Sequence, residues 1–542
     1  MAHIVASGDA GGVSQPSTTW GLLEHAVERA PDAPAIATGE APVPYAALHR
    51  SAASLATALR DRGIARGDRV ALMERNTPAF LTWTFACAGA GAVLVPLNLR
   101  LAAAELRAVL EDAEPALVIA HEDFRPVLDA ALEGLDAPPA VAWLGAGAGS
   151  SPMGLRLAEL PGPAFLPAPC EPDDVCHLYY TSGTTGRPKG VPLTHRNVVE
   201  HALAATSELD LAGDDVWGHI APMFHLADAW ASLAITAVAG QHAFLPEFEA
   251  EAALAMMAAR GVTVSNLVPV MLQRMLAAAP GCGFTGGSLR LVLSGGAPIS
   301  PAAVREVLET FGCEYVQTYG LTETSPYLTL SVLEPKHREL SEEAQLARRA
   351  RTGRPFETVE LRVVDDDGRP VPRDDRSVGE IIARGSTVTP GYWNRPEETA
   401  QAFRDGWFHT GDLATIDKEG WLNIVDRKKD MILSGGENVY STEVENALYE
   451  HPAVLECAAY GVPSAKWGEE VRAAVVLSAD ATAEALKEHC RAHLAGYKVP
   501  KQIELLSELP KTGSGKISKQ RLRDGADGGA SVSPKSSKDP AS

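Results

Sequence analysis

Residues 179–197 read YYTSGTTGRPKGVPLTHRN. Seven of the ten residues from Thr181 to Gly190 are glycine, serine or threonine, and Arg187 and Lys189 add positive charge. Glycines let backbone N–H groups turn toward a phosphate, and hydroxyls donate further hydrogen bonds. Apolar residues on either side predict a strand, a phosphate-binding loop and a second strand. The spacing is not that of a Walker A loop, because Pro188 stands where its second glycine should be. A flexible surface loop is the plainer alternative.

The surrounding chain alternates short apolar strands with helical patterns from about residue 17 to residue 425. Residues 69–73, 116–120 and 289–293 are typical strands of this kind. Such alternation predicts a layered α/β architecture. The most apolar run, residues 80–97, is interpreted as a core helix leading into a strand and not as a membrane span.

The pattern changes near residues 426–429, after which about a hundred residues show a compact α+β pattern. Thr442 and Glu445 form a T-x-x-E capping box that predicts the start of a helix. The final residues are rich in Gly, Ser, Asp and Lys, a composition typical of disorder. We therefore predict a loose leader, a large N-terminal domain, a smaller C-terminal domain and a disordered tail, with the bounds 1–16, 17–428, 429–523 and 524–542.

Composition narrows the class of function. The chain has 69 acidic and 48 basic residues, a net charge of −21, which disfavours nucleic acid as a partner. Its seven cysteines are odd in number and form no CxxC pair, which argues against a disulfide framework or a zinc site. The first residues lack the apolar core of a signal peptide. We therefore expect a protein of the reducing cytoplasm without a transmembrane segment.

The loop sequence at 179–197 strongly resembles the signature of the adenylate-forming superfamily. That superfamily includes acyl- and aryl-CoA synthetases, nonribosomal peptide adenylation domains and beetle luciferases. Further motifs resemble those of the superfamily and follow in its order: QTYGLTET at 317–324, WFHTGD at 407–412, DRKKD at 426–430 and PKTGSGKI at 510–517. The resemblance covers residues 17 to 523 and is nearest to AMP-forming acyl-CoA ligases. It implies a large layered α/β domain followed by a small, mobile α+β domain.

The resemblance also implies roles for individual residues. Lys516 would be the catalytic lysine, Lys429 the hinge on which the small domain turns, and Glu323, with Thr181, the ligands of Mg²⁺. Tyr319 would stack on adenine and Thr322 would reach the α-phosphate. Asp412 would contact the ribose, and Arg427 the ribose or the phosphates. The full predicted ATP site comprises Thr181, Ser182, Gly183, Thr184, Thr185, Gly186, Lys189, Gly295, Gly296, Ala297, Pro298, Tyr319, Gly320, Thr322, Asp412, Arg427 and Lys516.

The coenzyme A site is predicted at Ser434, Gly435 and Gly436, where absent side chains would leave room for a thin thiol arm. Purely structural roles are also open for several of these motifs. The Gly435–Gly436 pair also suits a β-turn, Asp412 a turn cap, and residues 294–298 a strand-to-helix turn.

The acid site is predicted from PMFHLADAW at 222–230 together with Gly296. His225 would lie at the pocket mouth, or else cap a helix. Trp230 stands one position later than the tryptophan gate of some long-chain ligases, which leaves gating by Trp230 open. No lysine or arginine lies between Met223 and Leu245, which disfavours a dicarboxylic acid.

These inferences predict an AMP-forming acid–thiol ligase that uses ATP, Mg²⁺ and coenzyme A. A medium- or long-chain fatty acid is the first expectation for the substrate, and an aryl acid the second. The motifs are also compatible with an enzyme that loads a carrier protein, with a luciferase-like oxygenase, and with a non-catalytic nucleotide- or acyl-binding regulator. The sequence leaves the oligomeric state open between a monomer and a homodimer.

Overall fold

The computed structural model describes residues 15–38, 41–145, 165–182, 188–297, 299–464, 466–511 and 517–527. The chain divides into two compact units, residues 1–361 with 383–408 and residues 362–382 with 409–542. A mixed α/β fold with a large N-terminal part and a smaller C-terminal part is thereby confirmed. The predicted domain bounds, including the boundary at residue 429, stay a prediction.

The elements from the first helix to the strands that leave the first unit are, in chain order, α1 Thr19–Arg29, β1 Pro34–Ile36, β2 Val43–Pro44, α2 Tyr45–Asp61, β3 Arg69–Met73, α3 Pro78–Ala90, β4 Val93–Pro96, α4 Ala103–Ala113, β5 Leu117–His121, α5 Arg125–Leu132, β6 Ala140–Leu144, β7 Val175–Ser182, β8 Pro188–Thr194, α6 His195–Glu208, β9 Val216–His219, α7 Leu226–Ala237, β10 Gln241–Phe244, α8 Ala250–Arg260, β11 Val264–Asn266, α9 Pro269–Cys282, β12 Leu291–Ser294, α10 Pro301–Phe311, β13 Glu314–Gly320, β14 Tyr327–Leu330, α11 Glu342–Arg349, β15 Arg354–Pro355, β16 Val359–Val364, β17 Gly379–Gly385, α12 Pro396–Ala402, β18 Phe403–Arg404 and β19 Trp407–Ile416.

The remaining elements belong to the second unit and are β20 Leu422–Arg427, β21 Ile432–Ser434, β22 Glu437–Val439, α13 Ser441–Tyr449, β23 Val454–Ser464, β24 Gly468–Leu477, α14 Ala483–His493, β25 Gln502–Leu505 and α15 Lys519–Asp527. Short 3₁₀ turns lie at Glu122–Phe124, Thr322–Thr324 and Pro335–Glu339.

Two largely parallel sheets form the first unit. One has six strands in the order β6-β5-β3-β4-β7-β8, and the other has nine in the order β15-β14-β13-β12-β11-β9-β10-β1-β2. Strand β8 runs antiparallel to β7, so the predicted phosphate loop connects the last two strands of the six-stranded sheet. The largest buried cluster joins residues from α6 and α7 with residues from both sheets.

The buried strands and helix α3 explain why the apolar runs in the sequence are continuous. Parallel strands covered on both faces have no polar side, and all but the first residue of β3 is buried. Helix α3 is buried at every residue from Phe80 to Ala90 and ends at Gly91, whose φ of 75° suits glycine. The core helix and strand predicted at residues 80–97 are therefore present. No helix within the described ranges has both the length and the apolarity needed to cross a membrane.

Helix α6 begins inside the conspicuous stretch of sequence, and its start is fixed by a reciprocal cap. The Thr194 hydroxyl accepts from the Asn197 backbone N–H at 3.1 Å, and the Asn197 side-chain oxygen accepts from the Thr194 N–H at 2.9 Å. The Asn197 amide nitrogen then donates to the Ser386 and Val388 carbonyls at 2.7 and 3.1 Å. The same residue therefore starts a helix and holds a distant loop.

The second unit has its own five-stranded sheet, with β22-β21-β24-β23 in order and β25 paired to β24. The predicted capping box at its first helix is wrong. Helix α13 begins at Ser441, whose hydroxyl donates to Asp426 at 2.8 Å, and the Thr442 hydroxyl donates to the Val425 carbonyl. Glu445 pairs with Lys519 at 2.8 Å instead of capping the helix.

Buried neutral histidines make the stability of the first unit depend on pH. Burial lowers the pKa of His177 and His201 to about 3 and that of His195 to about 4, against an ordinary value of 6.5. The unfolded chain therefore binds more protons than the folded chain between these values, and stability falls as the pH falls. In that window, each fully buried histidine lowers the free energy of unfolding by up to ~1.4 kcal/mol for each unit that the pH falls.

We predict that the apparent midpoint of thermal unfolding falls steadily from about pH 7 to pH 5, and that His201→Gln makes this fall shallower. Glutamine keeps an acceptor for the Tyr327 backbone N–H, which His201 binds at 3.3 Å, but it does not titrate. The check is differential scanning fluorimetry at a fixed scan rate across the pH series. Equal slopes for the variant and the parent protein would contradict the prediction.

Candidate active site

Strands β7 and β8 hold both ends of the predicted phosphate loop in register. Thr181 pairs with Lys189 and Ser182 with Pro188 across the antiparallel ladder. The Thr181 hydroxyl lies 3.5 Å from the Lys189 carbonyl, to which it donates. The predicted loop residues Gly183, Thr184, Thr185 and Gly186 lie outside the described residues. The loop ends are therefore anchored by paired backbone at the margin of the sheet.

Lys189 and Glu323 are brought together around a residue that the sequence motifs did not indicate, Tyr392. The Tyr392 hydroxyl donates to the Glu323 carboxylate at 2.9 Å, and Lys189 Nζ lies 5.2 Å from the centre of the tyrosine ring. Glu323 is buried. Burial and the nearby carboxylate raise the pKa of Tyr392, so the phenol keeps its proton and remains a donor. Tyr392 thus orients the predicted metal ligand beside the predicted phosphate lysine.

The loop that carries Tyr392 is fastened to β8 and to the turn that carries Glu323. The Trp393 backbone N–H donates to the Gly190 carbonyl at 2.8 Å, and the Thr389 N–H donates to the Glu323 carbonyl at 2.8 Å. A β-carbon at position 190 would lie 2.9 Å from Trp393 Cβ, so Gly190 is required by close packing. The pattern that could have indicated Tyr392 in the sequence is T-P-G-Y-W-N at 389–394, a proline–glycine turn followed by two aromatic residues.

The predicted adenine side is formed where β12 and β13 end next to each other. A β-carbon on Gly295 would lie 2.4 Å from the Thr318 hydroxyl, so this turn packs directly on β13. The Gln317 side chain donates to the Ala297 carbonyl at 3.0 Å and fixes the turn further. Gly296, with a φ of 82°, is exposed, and Pro298 lies outside the described residues.

The end of β13 places the next group of predicted residues. Tyr319 and Gly320 are its last two residues, and Thr322 and Glu323 follow in a 3₁₀ turn. A β-carbon on Gly320 would lie 1.8 Å from the Pro326 carbonyl oxygen, which excludes any side chain there. The turn is held by the Leu321 N–H, which donates to the Thr324 hydroxyl at 3.0 Å.

The predicted acid residues lie at the start of helix α7. His225 is the N-cap residue and is half-buried. Trp230 is only 2% exposed, and its indole N–H donates to the Ala227 carbonyl at 3.1 Å. Its ring lies 5.1–5.4 Å from those of His201, Trp217 and Tyr327. Trp230 is therefore part of a packed aromatic cluster, and its contact with the acid stays a prediction.

A buried polar chain ties α7 to the neighbouring strands and was not expected from the sequence. Asp228, fully buried, lies 2.6 Å from His219 Nδ1 and accepts from the Trp217 indole N–H at 3.2 Å. His219 Nε2 lies 3.0 Å from His242 Nδ1. Burial and the neighbouring His219 hold the pKa of His242 well below its usual range. A buried carboxyl group needs such partners, so this network of hydrogen-bonded side chains fixes α7 over β9 and β10.

In the second unit, Asp412 and Arg427 face each other across strands β19 and β20. Their backbones are register partners, and Arg427 Nε lies 3.1 Å from the Asp412 carboxylate. Asp412 is buried, whereas the arginine side chain is half exposed. The two residues predicted to contact the ribose are therefore neighbours, which leaves the ribose contact itself a prediction.

Lys429 lies exposed on the turn that follows β20, and partial desolvation lowers the pKa of its ammonium group. Gly435 and Gly436 form the two-residue connection between β21 and β22, with φ values of 64° and 88°. Ser434 is buried at the end of β21. The β-turn alternative is thus present, and the coenzyme A contact stays a prediction.

The predicted catalytic lysine, Lys516, lies outside the described residues. Lys511 and Ile517, on either side of it, form an isolated antiparallel bridge.

Comparisons with known proteins identify the family of the chain. The profile of the AMP-binding enzyme family matches residues 23–393, and that of the AMP-binding enzyme C-terminal domain matches residues 443–516. A feruloyl-CoA synthase of Amycolatopsis sp is 40% identical over 517 residues, covering 93% of this chain and 98% of that protein. A long-chain-fatty-acid–CoA ligase of Mycobacterium tuberculosis is 38% identical over 483 residues, covering 89% and 92%.

Among solved structures, ATP-bound MatB from Rhodopseudomonas palustris is similar with a TM-score of 0.83 and 31% identity, covering 95% of this chain and 99% of that one. The chain belongs to the AMP-binding enzyme family. Within that family it is an AMP-forming acyl-CoA ligase, which uses ATP and coenzyme A.

We predict that Tyr392→Phe slows adenylate formation about tenfold or more, because a hydrogen bond to a buried charged group contributes about 1.5–3 kcal/mol. The measurement is ATP–pyrophosphate exchange at saturating acid. Tyr180→Phe is the matched control, since it also removes a hydroxyl from a carboxylate, that of Asp112 at 2.7 Å. Exchange that falls equally in both variants, or in neither, would refute the role of Tyr392.

Proposed function

We propose that the acid is a compact aromatic one, of the aryl or arylpropenoic class, and that the enzyme converts it to its coenzyme A thioester. The observation that carries this proposal is the aromatic cluster at Trp230. The centres of three rings lie 5.1–5.4 Å from that of the indole, so the space between α7 and these residues is filled. An extended alkyl chain would have to displace this packing, whereas a short, flat acid would end in front of it.

The turn at Gly296, also predicted for the acid site, leaves room for an acid beside it. A β-carbon at Gly296 would lie 4.0 Å from Val268 Cγ1, in van der Waals contact, so the glycine leaves open the space between its turn and the start of α9. The absence of lysine and arginine from residues 223–245 disfavours a second carboxylate on the acid. The similarity to feruloyl-CoA synthase also favours an arylpropenoic acid.

A medium- or long-chain fatty acid is the second candidate. It is supported by the similarity to the mycobacterial long-chain ligase and by the apolar residues Leu267, Val268 and Met271 beside the Gly296 turn. This candidate requires Trp230 to leave its cluster, and the aromatic acid does not.

The reaction would proceed in two transfers. A carboxylate oxygen attacks the α-phosphorus of ATP and pyrophosphate leaves; the coenzyme A thiolate then attacks the acyl carbon and AMP leaves. Glu323 and Thr181 are oxygen donors of the kind Mg²⁺ prefers, and the ion would neutralise phosphate charge there. Lys189 would face the phosphates, and Tyr392 would hold the Glu323 carboxylate in place.

Purified protein should form AMP and thioester from ferulate or benzoate at least ten times faster, by kcat/KM, than from octanoate or palmitate.

Val268→Phe should lower kcat/KM for ferulate about tenfold, because a larger side chain fills the space opposite Gly296. Val270→Phe, the same change at a residue 45% exposed, is the control and should leave it unchanged. Preference for palmitate would overturn the aromatic assignment, and AMP without thioester would favour a carrier protein as acceptor.

Lys516→Ala should reduce ATP–pyrophosphate exchange roughly a hundredfold, because the lysine would stabilise charge that develops on the phosphate. The variant should still convert a supplied acyl-adenylate to thioester with coenzyme A. Stopped-flow assays of the two half-reactions separate these effects. Intact exchange in the variant would show that Lys516 has no role in adenylation.

A further inference from the structure

The end of helix α13 and the last turns of helix α14 bring together two imidazoles and a carboxylate. His489 and His493 are four residues apart on α14, so they lie on one face of the helix. Glu450 is the C-cap residue of α13. One ligand atom from each of the three residues lies within 4.8 Å of the other two. None of these residues belongs to the predicted nucleotide, acid or coenzyme A sites.

Hydrogen bonds to the backbone fix which ring nitrogen carries the proton in each imidazole. His489 Nε2 lies 3.0 Å from the Ala447 carbonyl, and His493 Nδ1 lies 2.8 Å from the His489 carbonyl. A carbonyl oxygen only accepts, so each of these nitrogens is the N–H donor. In the neutral ring the other nitrogen, Nδ1 of His489 and Nε2 of His493, therefore presents a lone pair.

This arrangement is the one that metal-binding histidines adopt, with one nitrogen on the metal and the other donating to a carbonyl. His493 Nε2 already faces Glu450 Oε2 at 3.7 Å. The glutamate side chain is 62% exposed, so its carboxylate can move through solvent toward the two imidazoles. Zinc ligands lie about 2.0–2.2 Å from the ion, so three of them converge to ~3.4 Å from one another.

We propose that His489, His493 and Glu450 bind a divalent transition-metal ion of the Zn²⁺ class, which ties the end of α13 to α14. Two imidazoles with one carboxylate suit Zn²⁺ and its neighbours, and not Mg²⁺, which selects oxygen ligands. A bridging ion stabilises the second unit because it binds the folded arrangement and not the unfolded chain. The cysteine pattern, which argued against zinc, says nothing about a site built from histidine.

A third histidine nearby supplies a matched control. The His451 ring lies 5.2 Å from that of His489, but His451 Nδ1 accepts from the Ala453 backbone N–H at 3.2 Å. Its other nitrogen therefore carries the proton and offers no lone pair. The proposal thus distinguishes His451 from the two histidines of α14 by hydrogen bonding and not by distance.

The competing explanation is a surface ion pair between Glu450 and a protonated His493. Exposed pairs of this kind contribute little to stability, ~0–1 kcal/mol. Such a pair requires no particular tautomer at His489. It also predicts that added metal has no effect on the protein.

The test is a Zn²⁺ titration of the full chain, purified without a histidine tag and stripped with a chelator, in competition with a chromophoric indicator and with excess Mg²⁺ present. The parent protein should bind one Zn²⁺ that His493→Gln and Glu450→Gln each weaken at least tenfold. His451→Gln and Glu488→Gln, the latter an exposed carboxylate on α14, should bind as the parent does.

Zn²⁺ should also raise the thermal midpoint of the parent protein, and this shift should vanish in His493→Gln. Circular dichroism of each variant establishes that it is folded, and Glu450→Gln provides a second disruption at an exposed position. Equal Zn²⁺ affinity in the parent, His493→Gln and Glu450→Gln would overturn the proposal. So would the absence of a Zn²⁺-dependent shift in the parent protein.

Discussion

The hydrogen bond from the Tyr392 hydroxyl to the buried Glu323 carboxylate determines much of the architecture around the phosphate loop. A buried carboxylate without a donor costs several kcal/mol, and here the donor comes from a residue 69 positions further along the chain. Its loop must therefore be held in place. Asn197 holds it from the start of α6, and Trp393 holds it against the bare backbone of Gly190.

The acid side depends on a second buried carboxylate in the same way. Asp228 is fully buried, and its oxygens are taken up by His219 and Trp217 of strand β9. Because opening this hydrogen-bonded network would leave buried polar atoms without partners, the first turn of α7 is held against the strand. His225, one residue before the helix, takes its position from this contact. The predicted nucleotide and acid sides thus share one principle, in which a buried carboxyl group fixes a segment that carries a predicted site residue.

The sequence predicted the features that depend on neighbouring residues. The strand expected at 69–73 is present with the same bounds, because an apolar strand in a parallel sheet needs only its own composition to be recognised. The sequence did not predict the roles of Tyr392 and Asp228. The partner of Tyr392 lies 69 residues away and those of Asp228 lie 9 and 11 residues away, at spacings with no helical or strand period. The capping box predicted at Thr442 was wrong because such a box is a purely local pattern. The helix start is held instead by a bond from Ser441 to Asp426, fifteen residues before Ser441. The sequence predicted Trp230 for the acid site, but its burial among three rings depends on packing that a single sequence does not display.

In the second unit, side-chain bonds hold helix α13, whereas several predicted site residues lie on turns. Helix α13 is tied at its start by Ser441 to Asp426 and along its length by Glu443 to Lys498 and Glu445 to Lys519. The predicted hinge Lys429 and the glycines at 435 and 436 lie instead on turns, two of them in backbone conformations that only glycine adopts readily. A unit with its core braced in this way keeps its internal geometry when its turns change conformation.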